Sequence, residues 1–568
     1  MKLPYGISNF AELRTEGYFY IDKTRYIELL ESSPEKYPVM LRSRRFGKTL
    51  FANMLGYYYD QLYADRFEEI FHGTYIHAHP TPQRNAYMIL DFNFSGINTQ
   101  TLENANEGFT YEVISRVELF TGKYRDHFSD KERERILQQK KPNDLLRALF
   151  QKIEEKGLGK CVYVIVDEYD HFANNILSQG KEMFKELVKT DGYVRPFYET
   201  LKKGTSNVVD RIFITGVLPI LLDSLTSGFN IGMNISTDVR FNEMFGFTQE
   251  EISPILKHLS CEKNRETIQT YYDGYRFSPQ ASTTVYNSDM VLYYGLKYDP
   301  EHNYIESMID TNVVSDYRKI RAILSIGERE LEEEVLTRIV ARKTVVINEI
   351  TVLFILTRET EFLFDEDALI SLLFYMGYLT IVGRMGIAIE LRIPNLVLES
   401  LYFEYMQYML MKRSAVRFRS REKLEMLQDL VDGKIERLIA LTEKFLKGLS
   451  NRDYERFDEK YIKVVMLSLL SDVNIYIPRS EYEVSADGYV DLYLQPAFEP
   501  ERSARYFIEL KYAKARATSK TLDNKEREGV EALKTYLQSD TAQALQNVQA
   551  YLLIFRKDRC VRKIRMQP

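Results

Sequence analysis

The sequence of 568 residues is long enough for about two to four domains, because a single hydrophobic core stops growing at about 250 to 300 residues. A hydrophobic fraction of 45% and a charged fraction of 28% describe a soluble globular protein. The net charge of −6 excludes a bulk electrostatic attraction to nucleic acid.

No apolar run approaches the roughly 20 residues that would cross a bilayer. The first residues lack the apolar core of a secretory signal. The three cysteines are widely spaced and form no metal-binding pattern, which fits a reducing compartment. We therefore expect a cytoplasmic protein without a membrane partner.

A phosphate-binding loop is the first motif along the chain. Residues 37–40 are apolar and predict a strand, the sequence LRSRRFGKTL fills positions 41–50, and a helix-forming run starts at Phe51. A strand, a tight loop ending in Gly-Lys-Thr and a helix form a P-loop, in which backbone N–H groups and the helix N-terminus bind phosphate. We expect Lys48 to contact the β- and γ-phosphates of ATP and Thr49 to ligate Mg²⁺.

This loop departs from the usual pattern, since Arg42 stands where a glycine is expected five residues before Gly47. On the Gly-Lys-Thr tripeptide alone, an ordinary helix start with a solvated lysine is an equal alternative. Arg44 and Arg45 are candidates for stabilising charge on the transferred phosphoryl group. The predicted nucleotide-binding residues of the loop are Arg42, Ser43, Arg44, Arg45, Phe46, Gly47, Lys48 and Thr49.

Two adjacent acids follow a later strand-forming run. Residues 161–166 (CVYVIV) are of the type found in buried strands, and Asp167 and Glu168 come directly after them. This is Walker B chemistry, in which Asp167 holds Mg²⁺ and Glu168 orients or deprotonates the attacking water. A core strand that ends in a polar loop is the alternative. The next buried strand, 210–217, ends near Thr215, which is either a sensor of the γ-phosphate or a turn threonine.

Strands alternate with helices through this half of the chain, which predicts an α/β fold with a parallel sheet covered on both faces. Residues from about 290 to 445 read as helical. An apolar helix at 368–379 is followed by alternating segments around Gly383 and Gly386, which is a winged-helix-like pattern. Because this helix has no basic face, we interpret it as a lid or spacer.

A second chemical constellation lies near the C-terminus. Strand alternation puts Glu509 and Lys511 on one face, and a hairpin brings Asp491 beside them. Two carboxylates with a lysine suit metal-assisted phosphodiester hydrolysis. We expect Asp491 and Glu509 to hold Mg²⁺, and Lys511 to position water or neutralise developing charge.

Four segments together, 19–24 (FYIDKT), 44–49 (RRFGKT), 167–170 (DEYD) and 213–217 (FITGV), resemble the bacterial AAA-ATPase-like family, whose members carry a C-terminal nuclease-type domain of the PD-(D/E)XK superfamily. The resemblance covers nearly the whole chain. In that family the loop reads R-P-R-R-F-G-K-S, so the absent first glycine is a family trait.

The resemblance implies a P-loop ATPase domain in residues 1–285 and a helical, winged-helix-like region in 286–445. It also implies a restriction-endonuclease-like α/β domain in 446–568, with Glu459 as an accessory metal ligand. The chain departs from the family at Tyr489, where arginine is usual, and it lacks a histidine near Glu459.

The predicted function is ATP binding and hydrolysis coupled to a Mg²⁺-dependent nuclease-type domain that acts on nucleic acid, DNA rather than RNA. The alternative is an NTP-dependent regulatory switch whose C-terminal domain binds nucleic acid or protein without cleaving it. Residues 502–568 carry 15 Lys and Arg against 7 Asp and Glu, which fits a phosphate-backbone partner, a structural assembly surface or a solvated surface. AAA-like proteins often form rings, so a homo-oligomer is one expectation, and a monomer or dimer fits equally well.

Overall fold

The structure is a computed structural model, and it describes residues 2–172, 175, 194–219, 229–303, 305–310, 312, 329–342, 344–351, 365–414, 419–449, 458–470, 475–485, 488–496 and 503–566. It divides into two compact units, one made of Met1–Glu332 with Thr344–Val397 and the other of Glu333–Lys343 with Leu398–Pro568. Within the described ranges, no helix is both long and apolar enough to cross a membrane.

The described helices and strands alternate along the first part of the chain. In order they are α1 (Phe10–Thr15), α2 (Arg25–Ser32), β1 (Pro38–Leu41), α3 (Lys48–Tyr59), α4 (Phe67–Phe71), α5 (Tyr75–Ala78), β2 (Met88–Asn93), α6 (Leu102–Lys123), α7 (Asp130–Leu137), α8 (Pro142–Glu155), β3 (Val162–Asp167), α9 (Val194–Gly204), β4 (Val209–Gly216), β5 (Met233–Asn234), α10 (Gln249–His258), α11 (Arg265–Tyr272) and α12 (Ser288–Lys297). Short 3₁₀ helices lie at Gln61–Arg66, Arg125–His127, Val239–Phe241 and Glu262–Asn264.

The later part of the chain has a hairpin, a run of helices and a second group of strands. In order these are α13 (Arg329–Arg342), β6 (Thr344–Ile347), α14 (Glu366–Tyr375), β7 (Thr380–Met385), β8 (Ala388–Arg392), α15 (Leu396–Ser414), α16 (Ser420–Val431), α17 (Glu436–Lys447), α18 (Glu459–Leu470), β9 (Tyr476–Ser485), β10 (Gly488–Pro496), β11 (Arg505–Ala513), α19 (Ser519–Leu537), α20 (Asp540–Gln543), β12 (Val548–Arg556) and β13 (Arg559–Met566).

The first unit is built on a parallel five-stranded sheet in the order β2-β3-β4-β1-β5. Every residue of β1 and β3 is buried, as expected for strands covered on both faces. The predicted α/β fold with a parallel sheet is confirmed. Because β4 lies between β1 and β3, the carboxyl ends of these three strands are neighbours, with Met40 paired to Thr215.

Helix α3 packs on this sheet directly after the loop that leaves β1. Its buried residues Phe51, Met54, Leu55 and Tyr58 recur at helical spacing and form the face that contacts β3 and β4. This packing fixes the start of the helix at the edge where β1, β3 and β4 end.

A three-stranded antiparallel sheet in the order β6-β8-β7 also belongs to the first unit. The predicted helix and hairpin are present as α14, β7 and β8, and β6 adds a strand that the sequence pattern did not predict. The turn after α14 passes through Gly377, which has a φ of +82°. Glycine adopts this left-handed conformation without the steric strain that a side chain would cause.

The second unit contains a mixed five-stranded sheet in the order β13-β12-β11-β10-β9. Only β11 and β12 run parallel, and helix α19 makes the crossover between them. One face of the sheet buries Tyr493, Phe507 and Leu552 against Leu522 and Leu533 of α19. Because β11 runs through the middle of this sheet, Glu509 and Lys511 lie on a rigid element.

Candidate functional site

The loop between β1 and α3 has the backbone of an anion-binding nest. Arg45 has a φ of +66° and Gly47 a φ of +96°. Left-handed residues that alternate with right-handed ones make a concave loop of N–H groups, and the N-terminus of α3 follows immediately. The Arg42 N–H donates to the Gly216 carbonyl at 3.1 Å, which ties this loop to the end of β4.

Lys48 is only 4% exposed and lies between the loop and the acids at the end of β3. Its Nζ donates to the Ser43 carbonyl at 3.2 Å and lies 3.7 Å from Oε1 of Glu168. The two sequence motifs, which are more than 100 residues apart, are therefore brought together in the fold.

The two acids at the end of β3, Asp167 and Glu168, have opposite electrostatic environments. Burial, and then the charge of Glu168, raise the pKa of Asp167 to about 6. Burial would also raise the pKa of Glu168, but the charge of Lys48 and a hydrogen bond from His171 outweigh it and lower that pKa to about 2. Nδ2 of Asn93 donates to Oδ2 of Asp167 at 3.1 Å, and the neighbouring Thr49 side chain acts to lower the pKa of Asp167. The fold thus brings Thr49 and Asp167 together.

Three buried oxygens at this edge have no hydrogen-bond partner among the described residues, namely Ser43 Oγ, Asp167 Oδ1 and Thr215 Oγ1. Buried polar atoms in folded proteins are almost always paired. Hard oxygen donors at the end of a phosphate-binding loop fit a magnesium–nucleotide complex, so the residues present suit that group.

The three arginines of the loop are used differently. The Arg42 guanidinium is buried, donates to the Ser236 carbonyl at 2.6 Å and lies over the Phe277 ring. Burial lowers the pKa of Arg42 to about 9. The guanidinium is bound to the protein's own carbonyl groups, and nucleotide binding by Arg42 stays a prediction.

Arg44 and Arg45, the other two arginines of the loop, are only partly buried. Arg45 Nη1 is 2.7 Å from Oδ2 of Asp289 on α12, and Ser288 Oγ donates to the Arg45 carbonyl at 3.1 Å. Arg44 is among the charges that act on Glu168. Both arginines thus lie near the acids, but Arg45 is held by an aspartate.

A cavity of about 330 Å³ opens beside the loop. Its residues come from the loop and α3, from the N-terminal segment and from residues 244–247 and 288–292; those with large apolar or aromatic side chains include Phe19, Tyr20, Ile21, Phe46, Phe51, Met54, Phe245, Phe247 and Leu292. Such a mainly apolar cavity next to a phosphate nest has the composition of a site for a nucleoside.

Apart from the loop residues and Glu168, the residues that line this cavity were not among the predicted site residues. Lys23 and its neighbours in the N-terminal segment line the cavity. Nζ of Lys23 bonds Glu251 at 2.7 Å and the Glu243 carbonyl at 3.0 Å. The sequence offers one signal, a charged Asp-Lys-Thr within an aromatic stretch, but not its partners.

The second unit brings its predicted acids together. Leu492 pairs with Ile508, so Asp491 on β10 is next to Glu509 on β11, and the Leu510 N–H donates to Asp491 Oδ2 at 2.8 Å. Lys511 Nζ is 2.7 Å from Oε1 of Glu509. The predicted hairpin geometry of Asp491, Glu509 and Lys511 is present.

The electrostatics of this site centre on Glu509, which is 4% exposed. Burial and then the charge of Asp491 raise the pKa of Glu509 to about 7. Burial would lower the pKa of Lys511, but the charge of Glu509 outweighs it and raises that pKa to about 12. Glu509 Oε2 is buried without a hydrogen-bond partner in the described part of the chain, which suits a metal ligand.

Two further residues lie at this site, of which one, Lys463, was missed and the other, Glu459, was predicted. Lys463 on α18 is 3% exposed, contacts Glu481 on β9 and lies 3.7 Å from Asp491. The predicted ligand Glu459 begins the same helix and acts electrostatically on Glu509. A lysine inside the apolar run IKVVML was the available signal for Lys463.

Comparison with known proteins matches two sequence families. The family described as predicted AAA-ATPase matches residues 4–226, and the PD-(D/E)XK nuclease superfamily matches residues 457–564. An uncharacterized protein in the vnfD 5′ region of Azotobacter chroococcum mcd 1 is 26% identical over 401 residues, which is 70% of this chain and 68% of that protein.

Among solved structures, a Walker-type ATPase of Pyrococcus abyssi aligns with 71% of this chain and 98% of its own, at 14% identity and a TM-score of 0.34. That likeness is too low to support an argument. The two family matches confirm the resemblance found in the motifs. The chain therefore contains a region similar to the predicted AAA-ATPase family, residues 4–226, and a region similar to the PD-(D/E)XK nuclease superfamily, residues 457–564.

Proposed function

We propose that the protein binds and hydrolyses ATP and that this turnover controls a Mg²⁺-dependent nuclease activity on nucleic acid, DNA rather than RNA. The observation that carries the proposal is the meeting of Lys48 with Glu168 at the nest that ends in Gly47. We assign the ATPase to residues 1–285, a lid to 286–445 and the nuclease to 446–568. We also propose a cytoplasmic location.

The residues of the first site divide the work of phosphoryl transfer. Lys48, now held by Glu168 and the Ser43 carbonyl, turns to the β- and γ-phosphates when ATP binds. Thr49 and Asp167 would hold Mg²⁺, which neutralises charge on the phosphate oxygens. Glu168 is ionised at neutral pH because its pKa is about 2, so it can accept a hydrogen bond from the attacking water.

The remaining residues bind and sense the nucleotide. Arg44 and Arg45 stabilise charge on the transferred phosphoryl group, and Arg45 does so after leaving Asp289. Thr215, whose buried hydroxyl has no hydrogen-bond partner among the described residues, contacts the γ-phosphate or the attacking water. The base packs in the cavity beside Tyr20 and Phe247.

The second site acts on a phosphodiester. Asp491, Glu509 and Glu459 would hold Mg²⁺, which polarises the phosphate and activates water. The ammonium group of Lys511 lies 2.7 Å from Glu509, where it can stabilise charge that develops on the phosphate. The basic segment 502–568 supports a partner with a phosphate backbone.

One observation favours the alternative function, a switch that binds nucleic acid or protein without cleaving it. Lys463 contacts Glu481 and lies 3.7 Å from Asp491, so an ammonium group competes with a metal ion for the predicted ligands. A site stabilised in this way without metal can keep the fold of a nuclease and lose its chemistry.

An assay of the full chain separates these functions. We expect Glu168→Gln to bind ATP with the parent's affinity and to hydrolyse it at least a hundredfold more slowly, because an amide is a poor base. Asp491→Asn should keep ATP hydrolysis and lose Mg²⁺-dependent cleavage of DNA. Glu483→Gln on the exposed side of β9 is the matched control and should keep both activities.

The results that contradict the proposal are equally specific. Intact single- and double-stranded DNA and RNA after incubation of the parent with ATP and Mg²⁺, together with normal ATP hydrolysis, would select the non-cleaving switch. Hydrolysis by Glu168→Gln at the parent's rate would remove the ATPase assignment itself.

A further inference from the structure

A cluster of two histidines and a glutamate lies outside both sites. Glu68 is on α4, His72 follows the end of that helix, and His77 is on α5. Nδ1 of His72 is 2.9 Å from one carboxylate oxygen of Glu68, and Nε2 of His77 is 2.7 Å from the other. One nitrogen or oxygen from each residue lies within 4.8 Å of the other two. Among the described residues, no other group of three His, Cys, Asp or Glu side chains has its ligand atoms this close together.

The backbone between α4 and α5 holds these three side chains close together. Gly73, with a φ of +73°, turns the chain between the two helices. Thr74 then caps α5 by accepting the His77 N–H at 3.4 Å, and its hydroxyl donates to the Phe71 carbonyl at 2.7 Å. The His77 ring stacks on Phe67 at 5.8 Å between centroids. One ligand is therefore fixed by packing before any ion binds.

The other two ligands can adjust. The side chains of Glu68 and His72 are 70% and 74% exposed, whereas that of His77 is 25% exposed. In a tetrahedral site with bonds of about 2.1 Å, neighbouring ligand atoms lie about 3.4 Å apart. Small rotations of the exposed Glu68 and His72 side chains bring the present separations to that value.

We propose that Glu68, His72 and His77 bind one divalent transition-metal ion of the Zn²⁺ class, with water in the remaining position. Imidazole nitrogen suits zinc, nickel and copper, while magnesium prefers oxygen donors and octahedral geometry. The carboxylate supplies the negative charge that two neutral imidazoles lack. The site thus takes a different ion from the two predicted magnesium sites.

Helix α5 is bonded to the wall of the nucleotide cavity. The Ile76 N–H donates to Oγ1 of Thr24 at 3.0 Å, and the Tyr75 N–H donates to Oδ2 of Asp22 at 2.6 Å. Between these two residues, Lys23 lines the cavity. An ion that fixes α5 therefore also stabilises the segment against which a nucleotide would pack.

The test is calorimetric titration of the full chain, without a histidine tag and after chelator treatment, with zinc chloride and separately with magnesium chloride. We expect one zinc ion to bind per chain through this cluster and to raise the melting temperature of the first unit. The exposed His72→Ala variant should weaken that binding at least tenfold while melting at the parent's temperature in EDTA. His77→Ala should weaken it further.

His302→Ala is the matched control, because exposed His302 pairs with Asp299 at 2.7 Å in an ordinary histidine–carboxylate contact. That variant should bind zinc like the parent. The proposal is overturned if the parent binds no zinc, which would make the contacts to Glu68 simple hydrogen bonds. It is also overturned if His72→Ala binds zinc as tightly as the parent, which would locate the ion elsewhere.

Discussion

Replacing Asp167 by asparagine should stabilise the metal-free protein while it removes ATP hydrolysis. Asp167 is 5% exposed, and its pKa rises from 3.8 to about 6, first because of burial and then because of Glu168. Asparagine keeps the shape and still accepts the hydrogen bond from Asn93. It carries no charge to desolvate, so the variant escapes the cost of ionising the buried carboxyl group.

The sign and size of the effect follow from linkage. The folded pKa lies above the unfolded one, so stability is present in full below pH 3.8 and is lost as the pH rises to about 6. A shift of about two units corresponds to about 3 kcal/mol at pH 8 and to about half of that at pH 5. For a unit of this size, about 3 kcal/mol is about 4 °C in melting temperature.

Differential scanning calorimetry in EDTA at pH 5 and pH 8 measures this effect. Asp167→Asn should melt higher than the parent, and its advantage should grow with pH. The variant should also need far more Mg²⁺ for nucleotide binding. An advantage that is absent at pH 8, or that shrinks as the pH rises, would refute the reasoning about the buried carboxyl group.

Three further substitutions test the geometry. Gly47→Ala adds a side chain at a φ of +96°, which costs about 1 to 2 kcal/mol. Calorimetry should therefore show ATP affinity reduced more than tenfold, and unchanged affinity would contradict the assignment of this loop as the phosphate-binding nest. Gly377→Ala puts a Cβ 2.7 Å from Ser43 Oγ, so it should also weaken ATP binding, whereas Gly383→Ala, with open space around it, should not. Lys463→Met leaves Glu481 and Asp491 without their cation, so in EDTA it should reduce the free energy of unfolding by about 2 to 3 kcal/mol and lower the melting temperature. Mg²⁺ should restore that stability, and no response to Mg²⁺ would argue against a metal site there.

Local patterns were sufficient to predict the two sequence motifs of the first site. The strand before Lys48, the glycine at the start of α3 and the acids at the end of β3 all act within a few residues, so the sequence predicts them directly. Their meeting depends on β4 lying between β1 and β3, which is a long-range property of the sheet. Likewise, period-two alternation predicts Glu509 beside Lys511 without knowledge of the fold.

The residues that were missed depend on contacts between distant segments. The sequence cannot show that the Arg42 side chain turns to the Ser236 carbonyl, or that the cavity walls come from segments as far apart as residues 4–54 and 244–292. Glu481 has a φ of +49° within β9, an irregularity that a simple alternating pattern does not predict. The roles of Thr215 and Glu459, and the domain boundaries at 285 and 445, stay predictions.

The central claim is that the loop around Lys48 and the acids at the end of β3 form one ATP site. Calorimetric titration of the full chain with ATP and Mg²⁺ tests it most directly, since the chain has no tryptophan to report binding by fluorescence. The parent and Lys36→Ala, whose exposed lysine pairs with Asp210, should bind ATP alike, and Lys48→Ala should bind it at least tenfold more weakly. Equal affinity of Lys48→Ala and the parent would contradict the account.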